Sequence, residues 1–335
     1  HGCTAWVAQM MYDYASFSGD AAFLRDRAYP FMVKTMRVYE AMLERTGDAF
    51  VLPVGVSPEY RGASMNAWGA NPSFQLACIH RLIENLQSAS AALSEPPAPI
   101  WREIADGLPR ACLIGDEPHD QIGLWQGTPL EESHRHHSHL AGICPFDIID
   151  LEDETWRGIA NRSLGRWVGE GMGLWSGWCV PWASMLQSRC GNGDMAELLL
   201  TIWESVFTNQ GRGTLHDCNF PGFTLMGSGA SVADGGQHRE IMQLDAGFGA
   251  VVAIQDMLLH TRRGVHHVFA GIPKSWPSCS FDEMLTEGGF LVSASRAKRQ
   301  TERVAIRAQH DATFRLTNPR GTPVTAASSC CGERT

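Results

Sequence analysis

The strongest constraint on this chain is a periodicity that changes once. Over most of its length apolar residues recur at three- and four-residue spacing, the signature of helices that bury one face. Val7, Met10, Met11, Tyr14 and Phe17 mark such a helix over 3–17. Ser18-Gly19-Asp20 breaks it, and a second helix is predicted over 21–45, with Pro30 in its early part and Thr46-Gly47-Asp48 as its stop. Further helices are predicted over 73–93, 101–113, 136–143, 155–169, 176–190, 194–208 and 248–260. Long stretches punctuated by Gly and Pro separate them, at 50–70, 115–135 and 209–243. From Gly264 onward the pattern shortens to strand-like runs at 267–269, 289–292 and 303–306. The expected fold is therefore mainly α, built of helical hairpins with a C-terminal β appendage. Hairpins of this kind close into an (α/α)6 barrel with the long loops gathered at one end. The chain supplies fewer helices than six hairpins need, so a partial barrel over 1–262 and a partial β-strand domain over 263–335 are expected, with the remaining hairpins upstream of His1.

Composition narrows the function classes. Apolar residues make up 44% and charged residues 19%, the balance of a globular protein. The net charge of -9 and the lack of a basic stripe argue against a nucleic-acid partner. No apolar run reaches the length of a membrane-spanning helix, so no membrane partner is expected. The ten Cys residues lie singly apart from Cys330-Cys331 and read as small core residues rather than staples. The chain opens on His1 with no Met and no signal peptide, which leaves its compartment unassigned. Eleven Trp residues offer platforms for the C–H faces of sugars as well as core material.

The loops carry the unusual residues. In Val56-Ser57-Pro58-Glu59-Tyr60, a Glu between Pro and an aromatic residue is a candidate carboxylic acid with a raised pKa; solvated loop Glu is the plainer reading. Ser133-His134-Arg135-His136-His137-Ser138-His139 packs four His around one Arg. The fixed guanidinium charge disfavours a metal there, and an Arg–His pair suits sugar hydroxyls. In Gln243-Leu244-Asp245-Ala246-Gly247-Phe248-Gly249, Asp245 caps the last helix, holds a catalytic water, or does both.

Taken in this order, the three motifs resemble glycoside hydrolase family 95, the 1,2-α-L-fucosidases and relatives. The family's opening stretch resembles His1-Gly2-Cys3-Thr4-Ala5-Trp6; its Ser-Pro-Glu-Asn loop is similar to 57–60, with Tyr60 for Asn. Its His-Arg-His-Leu-Ser-His-Leu motif is similar to 134–140, with His137 for Leu, and its Trp-Ser segment to Trp175-Ser176. Its Asp-Gly-Asn-Phe-Gly motif is similar to 245–249, with Ala246 and Gly247 substituted, and its Pro-x-x-Trp turn to 273–276. The resemblance implies an inverting hydrolase that removes a terminal α-linked sugar, α-L-fucose or α-L-galactose, from an oligosaccharide, without a cofactor. It implies that Glu59 is the general acid and that Asp245 activates water together with an Asn base. It also implies that Arg135, His136, Trp6 and Trp175 contact the sugar. The family's Asn-x-Asn motif lies upstream of the region matching His1, so residues 1–335 alone are expected to be inactive or nearly so. Glu59 and Asp245 are expected to face one cleft, around or beyond the ~6.5–9.5 Å that separates inverting carboxyl pairs. Two alternatives remain: another inverting (α/α)-barrel enzyme such as a phosphorylase, and a catalytically degenerate carbohydrate-binding relative.

Overall fold

The structure is a computed structural model that describes residues 2–62, 64–220, 222–225, 240–310 and 313–317. Cys330-Cys331 and the end of the expected β domain lie outside the described residues.

Helices dominate the first part. The helix α4 (Ser73–Leu93) is the hub of one group, with α1 (Gly2–Ser18), α3 (Tyr29–Met42) and α5 (Pro99–Gly107) packed on it. Leu76, Ile79, Leu82, Ile83 and Leu86 give it an apolar stripe that is sealed from water. It ends at Ser94 in the left-handed conformation, φ 57°, ahead of the Pro-rich joint. The helix α7 (Cys179–Arg189) is the hub of a second group with α6 (Glu154–Gly169), α8 (Gly193–Val206) and α9 (Leu244–Leu258). Asp153 caps α6 by accepting from the Trp156 amide at 3.0 Å. One core runs through both groups, from Met32, Met36 and Tyr39 to Leu164, Trp182 and Leu186.

The expected helix over 21–45 is three pieces: α2 (Ala21–Phe23), a π-turn over Leu24–Ala28, and α3 with Pro30 in its first turn. Its last residues form a short hairpin instead, β1 (Glu44–Thr46) against β2 (Ala49–Val51). The expected helix over 136–143 reduces to a 3-10 turn at Ser138–Leu140. Another small hairpin pairs β3 (Leu113–Ile114) with β4 (Gln121–Ile122).

The helix α1 reverses the face that its periodicity suggests, and α9 also leaves large apolar residues open. In α1 the residues packed inward are Ala5, Ala8, Gln9 and Ala15, while Val7, Met10 and Tyr14 are exposed. In α9 Ala246, Ala250 and Ala253 pack inward, while Leu244, Phe248, Val251 and Val252 are exposed.

At Leu259 helix gives way to strand, so β5 (Leu259–Arg262) takes the last residues that the sequence assigns to the helical region. It pairs with β6 (Val265–Val268), which pairs on its other side with β10 (Leu316–Thr317). A second antiparallel sheet runs β7 (Cys279–Thr286), β8 (Phe290–Ala297), β9 (Gln300–Ala308). Phe290, Val292 and Ala294 alternate inward along β8 onto Leu259, Val268 and Phe269. Arg189 of α7 fastens the helical groups beneath the sheets, ion-paired with Asp147 and with Asp256 of α9.

Candidate functional site

The loop between β2 and α4 is pinned at its neck by an antiparallel bridge between Gly55 and Gly69, with N···O distances of 2.9 and 3.0 Å. Beyond the neck, Ser57 shares a 2.5 Å hydrogen bond with Ser138, and the Pro58 carbonyl accepts from His134 Nε2 at 3.2 Å. Tyr60 points inward, its ring edge-on to Trp125 and His134, and its hydroxyl accepts from the Glu131 amide at 3.1 Å. Between these anchors Glu59 adopts φ 57°, a left-handed conformation that costs a non-glycine residue ~1–2 kcal/mol. The strain turns the Glu59 side chain away from buried Tyr60 and outward.

There it meets the His-Arg-His motif. Arg135 Nη2 donates to Glu59 Oε2, and His136 Nε2 lies 2.8 Å from the same oxygen. The His136 ring is held between the rings of His134 and Trp178, at 5.1 and 5.2 Å between centroids. Burial lowers the His136 pKa, so at neutral pH it is an uncharged imidazole that donates to a carboxylate. The hydrogen bond from His136 and then the Arg135 charge hold the Glu59 carboxyl below its usual range, with burial opposing them. This reverses the raised pKa expected from the sequence: Glu59 faces two donors, and 54% of its side chain is open to solvent.

The other His residues of the motif are spent elsewhere. His137 Nε2 lies 2.9 Å from the Cys179 carbonyl, and burial pushes His137 and His139 down to about 3 and His134 down to about 4. Among the described residues no three His, Cys, Asp or Glu side chains are placed to hold a metal ion.

The remaining expected site residues divide. Trp175 is 3% exposed and stacks flat on Trp167 at 4.1 Å, so its ring serves the core beneath the site rather than an open wall. Trp6 is partly buried among Phe74, Phe146 and Trp182. Asp245 is exposed in the first turn of α9; the capping position belongs to Gln243, which makes no side-chain cap. Backbone contacts link that helix start to the segment before Trp178. The Gln243 amide donates to the Thr214 carbonyl at 2.8 Å, the His216 amide to the Ile241 carbonyl at 2.8 Å, and the Gly177 amide to the His216 carbonyl at 2.9 Å. Gly177 precedes Trp178, whose ring lies against His136.

One pair was not anticipated. His216 Nδ1 lies 2.6 Å from Asp217 Oδ1, and the Asp217 side chain is sealed from water. Both residues sit in a Gly-rich stretch with little periodicity, and the adjacency of an imidazole and a carboxylate was the only signal for them.

A family model described as the glycosyl hydrolase family 95 catalytic domain matches residues 1–258. That span ends where α9 does. Alpha-L-fucosidase 2 of Arabidopsis thaliana is 22% identical over 298 residues, covering 86% of this chain and 34% of the relative. Probable alpha-fucosidase A of Aspergillus oryzae is 27% identical over 249 residues, covering 65% of this chain and 31% of the relative. The chain thus spans about a third of the length of these curated relatives. A match over most of the chain, taking in the Glu59 loop, the His-Arg-His motif and the start of α9, establishes that this chain belongs to glycosyl hydrolase family 95.

Proposed function

We propose that the protein hydrolyses a terminal α-L-fucoside, or the closely similar α-L-galactoside, of an oligosaccharide with inversion of the anomeric centre. The observation that carries the reading is Glu59, turned outward by a strained loop and clasped by Arg135 and His136. The activities named for the two relatives, both alpha-fucosidases, support the choice of sugar. In this reading Glu59 protonates the glycosidic oxygen, and a water activated at Asp245 attacks the opposite face of the sugar. By family resemblance an Asn side chain acts with Asp245. Arg135 and His136 donate to sugar hydroxyls.

The same reading makes the helices part of a larger (α/α) barrel, with residues 1–262 its catalytic region and 263–335 part of a β domain. Large apolar side chains left open on both α1 and α9 support further helices packing there.

The test is turnover of an aryl α-L-fucoside and of a 2'-fucosylated oligosaccharide by a protein that includes these residues, with proton NMR of the sugar first released. β-L-Fucose as the first product and a fall of ~10²–10⁴-fold on Glu59→Gln are expected. First release of α-L-fucose, or full activity without the Glu59 carboxyl, refutes the mechanism.

A further inference from the structure

The His216–Asp217 pair lies where two site-bearing segments meet. The His216 backbone is bonded on both sides, to Gly177 at 2.9 Å and to Ile241 at 2.8 Å. Leu215 is bridged to Met242 and takes a further bond from its amide to the Phe207 carbonyl at 2.8 Å. The residue is therefore fixed between the Trp178 segment, which abuts His136, and the segment that opens α9 with Asp245. The ring lies close enough to His136 to act on it electrostatically. About a quarter of the His216 side chain is open to solvent, at 25%, against 5% for Asp217.

The 2.6 Å contact pairs His216 Nδ1 with Asp217 Oδ1, and a carboxylate accepts from a ring N–H. In the neutral imidazole that this pairing orients, Nε2 is the acceptor. It has no partner among the described residues and is not among their sealed polar atoms. Arg135 and His136, by contrast, present donors. A sugar hydroxyl both donates and accepts, so an acceptor on His216 would complement the donors on Arg135 and His136.

We propose that His216 contacts the substrate, its Nε2 accepting a hydrogen bond from a hydroxyl of the bound sugar, and that Asp217 is the positioning residue that fixes its tautomer and orientation. The proposal rests on the fucoside reading above and deepens it. A buried carboxylate that orients an imidazole is the arrangement by which proteins commit one ring nitrogen to the protein and the other to a ligand.

In a longer protein that includes these residues and the upstream segment, the experiment measures KM and kcat on an aryl α-L-fucoside, the inhibition constant of L-fucose, and L-fucose binding by saturation-transfer NMR. It compares the parent with His216→Phe, His216→Gln and Asp217→Asn, and uses Glu59→Gln as a control. Losing the acceptor is expected to raise KM and the fucose inhibition constant ~10-fold in His216→Phe, with a smaller change in kcat. His216→Gln, whose amide oxygen accepts, recovers part of that loss. Asp217→Asn donates to Nδ1, moves the ring hydrogen to Nε2, and raises KM while leaving the melting temperature close to the parent's. A merely structural role would not give this split or this rescue. Fucose affinity and KM within twofold of the parent in both His216→Phe and Asp217→Asn overturn the proposal. If the parent neither turns over the fucoside nor binds fucose, the fucoside reading fails and the proposal falls with it. If fucose binds but Glu59→Gln retains turnover, only the acid assignment fails, and the His216 affinities still decide the proposal.

Discussion

Asp13→Asn should stabilise the protein at alkaline pH and flatten the pH dependence of its stability. Asp13 lies on α1 beside a cavity of about 310 Å³ also lined by Arg81, Asp147, Arg189, Asp256 and Glu287. Gln9 Nε2 donates to Asp13 Oδ1 at 2.6 Å, and the Gln9 carbonyl is fixed in turn by Asn85 at 2.5 Å and Arg81 at 3.2 Å. Burial, and then the charge of Glu287, push the Asp13 carboxyl up to about 7, with Arg81 pulling the other way. Burial raises Glu287 as well. A carboxyl whose folded pKa exceeds its unfolded value keeps a proton that the unfolded chain releases. The stability it contributes is complete below the unfolded value near 4 and is lost as pH rises through about 7. At ~1.4 kcal/mol per pH unit that interval sets a ceiling of ~4 kcal/mol. Asp13 is only partly buried, and solvent screening reduces the expected effect to ~1–2 kcal/mol. Asn keeps an acceptor for Gln9 and removes the charge. Urea unfolding followed by tryptophan fluorescence should therefore show Asp13→Asn more stable than the parent by ~1–2 kcal/mol at pH 8, and the two within ~0.5 kcal/mol at pH 4.5. Parallel pH profiles, or an Asn variant that is less stable at pH 8, would refute the reasoning.

Two further outcomes follow from the site. The hydrogen bond from His136 is the largest influence lowering the Glu59 pKa, so His136→Ala should move the alkaline limb of kcat/KM upward in pH, whatever it does to the height of the profile; an unmoved limb would show that Glu59 does not set it. Gly177 lies against the Leu215 carbonyl, backbone that cannot yield to a side chain, so Gly177→Ala should cost ~1–3 kcal/mol in unfolding free energy and weaken fucose binding together; parent-like values of both would separate this contact from the site.

The sequence disclosed elements wherever one physical pattern dominated. α4 was legible because its apolar stripe is long and sealed, and β8 because Phe290, Val292 and Ala294 alternate against a single core. The helix expected over 136–143 failed because buried His137, Ser138 and His139 satisfy a turn and the carbonyl of Cys179, not a helical face. The inward face of α1 was misread for a different reason. Large apolar side chains usually mark the buried face, but in α1 small residues pack inward while Val7, Met10 and Tyr14 lie open, a choice that depends on neighbours the periodicity does not describe. Glu59, Arg135 and His136 were named by motif, yet the depressed Glu59 carboxyl was not foreseeable, since it arises from contacts across more than seventy residues of sequence. His216 escaped notice because its placement is set by backbone bonds that only the fold creates.

In the mechanism proposed above, Glu59 is an acid whose carboxyl its neighbours hold low, so it must first gain a proton, and sugar binding offers a route that can be tested. Glu59 is kept low first by the hydrogen bond from His136 and then by Arg135. In this structure both donors point at the carboxyl. A sugar whose hydroxyls take those donors removes the causes that lower the pKa, and its ring displaces water from a side chain now 54% exposed, which adds burial and raises the pKa. Sugar binding and proton uptake are then one event. The sign is fixed: uptake is confined to the pH window between the depressed pKa of free Glu59 and its raised value in the complex, and vanishes on either side of it. Calorimetric titration of L-fucose at pH 6 in two buffers of different ionisation enthalpy should report uptake of a fraction of a proton, and an affinity that rises as pH falls toward 5. Glu59→Gln should bind fucose with no linked proton. Equal heats in the two buffers, or linked protonation that survives Glu59→Gln, would show that the acid is not charged through this exchange of partners.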